Sequence, residues 1–257
     1  MTTEITVGKL KVQRYDTRVE MGRAAAATAA DTIRQLLSKN EHVNIIFAAA
    51  PSQNEFLEAL STCDIEWKRI NAFHMDEYVG IAPDASQSFA NFLRQRLFDK
   101  VPVGAVHYID GATENPDAEC IRYAALLEQY PAHIVFLGIG ENTHLAFNDP
   151  HVADFDDPLV VKVVDLDEKN RWQQVDPADP ACFNDIGLVP THAITLTIPA
   201  LFKVKHAFAI VPGKKKADAI YHTLNSDIQE KYPSTILRKH DHAVLFIDKD
   251  SASRIKM

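Results

Sequence analysis

Short, continuous apolar runs separated by helical patterns constrain this chain more than any other feature. Runs at 43–50, 67–74, 134–138, 193–198, 207–211 and 243–247 read as strands, and a shorter one lies at 106–109. Several have no polar face, so both of their faces must be covered. Between them the pattern is helical. Thr17-Arg18-Val19-Glu20 reads as a capping box opening an amphipathic helix to about Lys39. Pro51 ends the first run, and Ser52-Gln53-Asn54-Glu55 reads as a second capping box. Residues 87–98 are helical in period, and Asn115-Pro116 pairs an N-cap with proline at the first helical position of a helix to about Tyr130. Gly213 opens a helix to about Leu224. Strands alternating with helices predict an α/β fold: a mostly parallel central sheet with helices on both faces, Rossmann-like, in one domain spanning 1–257. The stretch 151–190 breaks the pattern, being polar, rich in Asp and Pro and weakly periodic. It reads as one short strand at 160–164 within a mobile excursion, with a lid expected at about 151–175.

The formal net charge of -8 argues against general nucleic-acid or anionic-membrane binding, and no apolar run reaches membrane-spanning length. Cys63, Cys120 and Cys182 are odd in number, scattered and without a C-x-x-C pair, which suits a reducing, cytoplasmic setting. Residues 1–10 carry no apolar signal core.

In open α/β sheets ligands bind beyond the carboxyl ends of the strands, so the residues after each run are the candidates. They are Ser52 and Gln53 after 43–50, Asp76-Glu77 after 67–74, the segment from Gly138 to His144 after 134–138, and Gly213-Lys214-Lys215-Lys216 after 207–211. Most lysine runs are solvated faces, but three lysines at a helix start oppose the helix dipole unless an anion sits between them and the amides. Asp76-Glu77 reads equally as a catalytic carboxylate pair or as a turn or helix cap. His144 with Asp149 five residues on suits an imidazole oriented by a carboxylate. There is no His-Glu-x-x-His, and His240-Asp241-His242 alone is a poor metal site. Gly138-Ile139-Gly140 lacks the third glycine of a dinucleotide fingerprint. No metal and no cofactor is expected.

Two long segments carry a resemblance. Phe73-His74-Met75-Asp76-Glu77-Tyr78-Val79-Gly80 resembles the M-D-E-Y-V-G segment of glucosamine-6-phosphate deaminases. The stretch from Gly138 to Pro150 is similar to their second signature, G-x-G-x-[DN]-G-H-[IL]-[AG]-F-N-E-P, and the stretch from Gly213 to Ala217 to their phosphate-binding G-x-x-K-A. The family includes 6-phosphogluconolactonases, whose matching His is followed by T-A-S-L; here Leu-Ala-Phe-Asn follows His144.

The resemblance implies an isomerising deaminase that converts an amino sugar 6-phosphate, glucosamine 6-phosphate or a close relative, to a ketose phosphate and ammonia. Asp76 takes the place of the base that moves a proton between C2 and C1. His144 takes that of the ring-opening residue, with Asp149 orienting it and Asn142 beside it. Ser52, Gln53, Lys216 and the lid residue Arg171 are implied to hold the phosphate. The partner is then a small hexosamine 6-phosphate, with homo-oligomerisation and the C4 epimer left open. A lactone hydrolase and a non-catalytic sugar-phosphate sensor stand as alternatives. Residues 48–53, Ala-Ala-Ala-Pro-Ser-Gln, depart from the family's A-T-G-S-T-P loop; Thr143 replaces a glycine, and Asp149 a longer Glu.

Overall fold

The computed structural model describes residues 2–256; Met1 and Met257, the two ends of the expected domain, lie outside the described residues. The chain opens with an antiparallel hairpin, β1 (Thr3–Val7) and β2 (Leu10–Tyr15). Then follow α1 (Arg18–Leu37), β3 (Val43–Phe47), α2 (Asn54–Ser61), β4 (Ile70–His74), β5 (Asp76–Tyr78), α3 (Phe89–Leu93), β6 (Ala105–His107) and α4 (Pro116–Gln129). The second half holds β7 (Ile134–Leu137), β8 (Val161–Asp165), α5 (Glu168–Gln173), β9 (His192–Leu196), α6 (Ile198–Phe202), β10 (His206–Val211), α7 (Ala217–Asn225) and β11 (Ala243–Asp248).

Eight strands form the central sheet in the order β1-β2-β11-β10-β7-β3-β4-β6, parallel throughout except for β1 against β2. The apolar runs alternate between two cores. Val135, Leu137, Ala207, Ala209 and Leu245 face one, with α4, α6 and α7; Ile134, Phe136, Phe208, Ile210 and Phe246 face the other, with α1 and α2. Each buried side chain removes apolar area worth about 25 cal/mol per Å² from water, which is why these runs carry no polar face. Chain order reverses between β3 and β7, which pair at Ile45↔Ile134 and Ile46↔Val135, so their carboxyl ends diverge and leave a crevice.

Thr17 caps α1 as expected, its hydroxyl accepting from Glu20 N at 3.1 Å, and Asn115 caps α4 from the residue before Pro116. The second expected capping box is not formed. Residues Pro51–Gln53 make a tight 3-10 turn, Gln53 holds the cap position of α2 without a side-chain bond, and Glu55 turns away to pair with Arg18.

Two further corrections concern the sheet and the excursion. The run at 193–198 does not enter the parallel sheet: β9 is the centre of a small antiparallel sheet, β5-β9-β8, covered by Tyr78, Phe147, Val164 and Phe183. Within 151–190 the expected strand is β8, but the segment also holds α5, which no periodicity announced. That helix is six residues long and buries only Asn170 among them, so it has no apolar stripe to read. Asp167 starts it by accepting from Asn170 N. Among the described residues no helix is long and apolar enough to cross a membrane, and Cys63, Cys120 and Cys182 are free.

Candidate active site

The carboxyl ends of β3, β4, β7 and β10 open onto one cavity of about 490 Å³. Ser52, Asp76, His144 and Lys216 line it, arriving from four different strand ends. The parallel sheet is what brings them together, since it aims all four strands at the same edge.

His144 sits in a tight turn after β7. Gly140 N–H donates to His144 O and Thr143 N–H to Gly140 O, both at 3.0 Å, which folds the imidazole back over Gly140. A Cβ at Gly140 would collide with the imidazole, so only glycine fits there. Thr143 and Ala146 both hold positive φ, 74° and 51°. The family's glycine at position 143 is therefore a backbone requirement that this chain meets with a strained, β-branched residue. Thr143 is tied by its hydroxyl to Asn142 O, and its carbonyl accepts Ser234 N–H at 3.0 Å.

Behind the imidazole lies Asp149, fully buried, with its Oδ1 3.0 Å from His144 Nδ1. The contact is close enough for an ion pair. Asp149 also accepts from Asn142 Nδ2 at 2.9 Å, Asn170 Nδ2 at 2.9 and 3.0 Å, and Asp167 N at 3.2 Å. Burial raises its pKa, but the hydrogen bonds and the charge of His144 outweigh that and hold it below the usual carboxylate value. Asn142 bonds Asp167 Oδ2 at 2.8 Å as well, and accepts His144 N–H at 3.2 Å. Asn170 is the functional neighbour that sequence reasoning missed; the one available signal was its place three residues after an N-capping Asp. Asn148 anchors the turn to the small sheet through Leu145 O and Leu196 O, each at 2.8 Å.

The Asp76-Glu77 pair divides its labour. Glu77 accepts Ser88 Oγ at 2.8 Å and the amides of Phe89 and Ala90 at 3.1 and 3.0 Å, so it caps the start of α3. Asp76 faces the cavity while buried, and burial followed by the charge of Glu77 pushes its pKa well above the ordinary value. A carboxylate so placed is a stronger base than a solvated one.

The other end of the cavity is basic. Lys216 is half-buried there, and burial lowers its pKa to about 8 against the opposing pull of Glu141. Its Nζ donates to Gln173 Oε1 at 3.3 Å, and the same oxygen accepts Glu141 N–H at 2.7 Å. Across from it runs the loop of residues 48–52, none of which has a positive φ, so its alanines adopt the local backbone without strain. Ser52 lines the cavity and does not cap α2. Gln53 lies beneath the lining, with Nε2 on Ile210 O at 3.1 Å and on Ser52 Oγ at 3.2 Å, so it fixes Ser52 and does not face the cavity itself.

Arg171, like Gln53, is an expected phosphate residue that the structure does not bring to the cavity. Its Nη2 donates to Ile186 O at 2.8 Å and Val189 O at 2.9 Å, which ties α5 to the end of the excursion. Gln173, Gln174, Asp176, Asp179 and Cys182 cover the cavity instead. Asp149, His151 and Asp167 converge closely enough to suggest a cation, but each is already engaged: Asp149 and Asp167 by the amides above, His151 by Asp165 at 2.9 Å.

A mostly parallel α/β sheet thus carries a buried carboxylate, a carboxylate-backed imidazole and a basic end at one cavity. The chain belongs to the glucosamine-6-phosphate isomerase/6-phosphogluconolactonase family, whose model matches residues 16–246. The chain is 33% identical over 192 residues to a glucosamine-6-phosphate deaminase of Exiguobacterium sp. (strain ATCC BAA-1283 / AT1b), covering 74% of this chain and 72% of that one. It is 30% identical over 246 residues to a glucosamine-6-phosphate deaminase of Streptococcus pyogenes serotype M18 (strain MGAS8232), covering 96% of this chain and 100% of that one. The solved structure of a monomeric glucosamine-6-phosphate deaminase is similar at a TM-score of 0.85 and 26% identity, with 95% of this chain and 99% of that one covered. A 6-phosphogluconolactonase from Thermotoga maritima shares the fold, with a TM-score of 0.75 at 19% identity over 94% of this chain and 100% of that one.

Proposed function

We propose that this chain is an isomerising deaminase of an amino sugar 6-phosphate, glucosamine 6-phosphate or its close relative. One observation carries the reading: Asp76 is a buried carboxylate of raised pKa in the same cavity as His144 and Lys216. A lactone hydrolase needs no base for a C–H proton, and Asp76 has no other evident task here. A deaminase relative matched along its whole length agrees with it.

The reaction follows from the positions. The phosphate rests between Lys216, Ser52 and the turn of residues 213–216 that leads into α7. His144, oriented by Asp149, moves the proton that opens the ring between O5 and the C1 hydroxyl. Asp76 takes the proton from C2, giving an enolamine, and returns it to C1. Water adds to the resulting C2 imine and ammonia leaves, so amino sugar phosphate and water become ketose phosphate and ammonia. The lid of about 151–175 carries Gln173 over the cavity in this reading, with Gln174 beside it; for Arg171 to reach the phosphate, its two carbonyl bonds must break. A cytoplasmic enzyme acting without metal, as monomer or homo-oligomer, completes the reading.

The test is ammonia release from a panel of hexosamine 6-phosphates beside hydrolysis of 6-phosphogluconolactone, each with and without a chelator. Ammonia from an amino sugar phosphate, unaffected by chelation, is expected. Lactone hydrolysis with no ammonia would replace the deaminase reading.

A further inference from the structure

We propose that Arg18 supplies the guanidinium of the phosphate site, an assignment that rests on the sugar-phosphate reading of the cavity. Arg18 is the one arginine lining the cavity among the described residues. It is the first residue of α1, where a cation opposes the helix dipole, so its placement calls for negative partners. Glu55 is one. Arg18 Nε and Nη2 donate to its two oxygens at 2.9 and 3.0 Å, which uses the side edge of the guanidinium. That leaves Nη1 to face the anion end. Nη2 also reaches Pro51 O at 3.3 Å, on one wall of the crevice, and Nη1 lies 3.8 Å from where a Cβ on Gly213 would stand, on the other.

Arg18 therefore spans the two loops between which a phosphate would sit, beside Ser52 on one and the 214–216 lysines on the other. Its fork is held by Glu55 and Pro51 O, so little side-chain freedom remains to be lost when Nη1 meets an anion. Arg171 meanwhile is engaged with Ile186 O and Val189 O. Where the family resemblance places a lid arginine on the phosphate, this chain presents one from the start of its first long helix.

Calorimetric titration with inorganic phosphate, and KM for glucosamine 6-phosphate, separate a phosphate role from a structural one. Arg18→Gln is expected to weaken phosphate binding and to raise KM, each roughly tenfold, the usual loss for a hydrogen bond to a charged group. Glu55→Gln breaks the same ion pair but leaves the cation, and is expected to bind phosphate at least as tightly as wild type. Arg18→Lys should fall between wild type and Arg18→Gln. Equal losses in Arg18→Gln and Glu55→Gln would show that only the α1–α2 ion pair matters and overturn the proposal. So would unchanged phosphate binding by Arg18→Gln, which would leave the deaminase reading standing, or a wild-type protein that binds no phosphate. Wild-type protein that binds phosphate through Arg18 yet releases no ammonia would remove the deaminase reading and keep the anion site.

Discussion

At the His144 end of the cavity the carboxylate is saturated: the fully buried Asp149 takes bonds from Asn142, Asn170 and Asp167 and a close contact from His144. At the Lys216 end the charges stand at the edge of solvent, and one amide oxygen, that of Gln173, joins Lys216 to the Glu141 amide. The first end is preorganised and tolerates little change. The second is assembled from backbone and long side chains; this chain departs from the family pattern at both, with alanines at 48–50 here and Thr143 and Asp149 there. In the proposed reading, the proton chemistry depends on buried packing, while the phosphate depends on side chains that reach one rim of the cavity from several loops.

The largest expected break in this comparison comes from Asp149→Ala. It leaves His144 unoriented and the Asn142 and Asn170 amides without acceptors, so kcat should fall on the order of 10²–10³-fold, and the fold should lose about 3 kcal/mol in denaturant melts. Next is Lys216→Ala, at the other end, where KM should rise on the order of tenfold while the protein melts as wild type does. A pH series sharpens the same contrast. Lys216 has its pKa lowered to about 8, so it is charged below that pH and neutral above it; KM should climb as pH rises through that value. A KM flat from pH 7 to 9 would remove Lys216 from phosphate binding. The smallest effect is expected from Thr143→Gly, which relieves a φ of 74°. Strain relief and the added freedom of the unfolded chain nearly offset, so stability should rise by no more than about 1 kcal/mol.

Most of the sheet was legible because continuous apolar runs admit few alternatives. The fold's second sheet was not: β5 is only three residues long and β9 is as apolar as a parallel strand, so their pairing is visible only in three dimensions. The site was legible where residues follow strands, as Asp76, His144 and Lys216 do. Glu77 could not be separated from Asp76 in sequence, because the cap it provides belongs to a helix beginning at Phe89. Asn170 and Arg18 were passed over for the opposite reason. Each is an ordinary polar residue at a helix start, and its neighbours come from segments far away in the chain.

The central claim is that a buried Asp76 carries the proton from C2. The most direct measurement pairs two readouts on Asp76→Asn: calorimetric binding of glucosamine 6-phosphate, and ammonia release from the same preparation. The amide fills the same space but cannot accept the proton. Binding within a fewfold of wild type with ammonia release down by about 10²-fold or more is expected. Ammonia release near the wild-type rate would contradict the account and take Asp76 out of the chemistry.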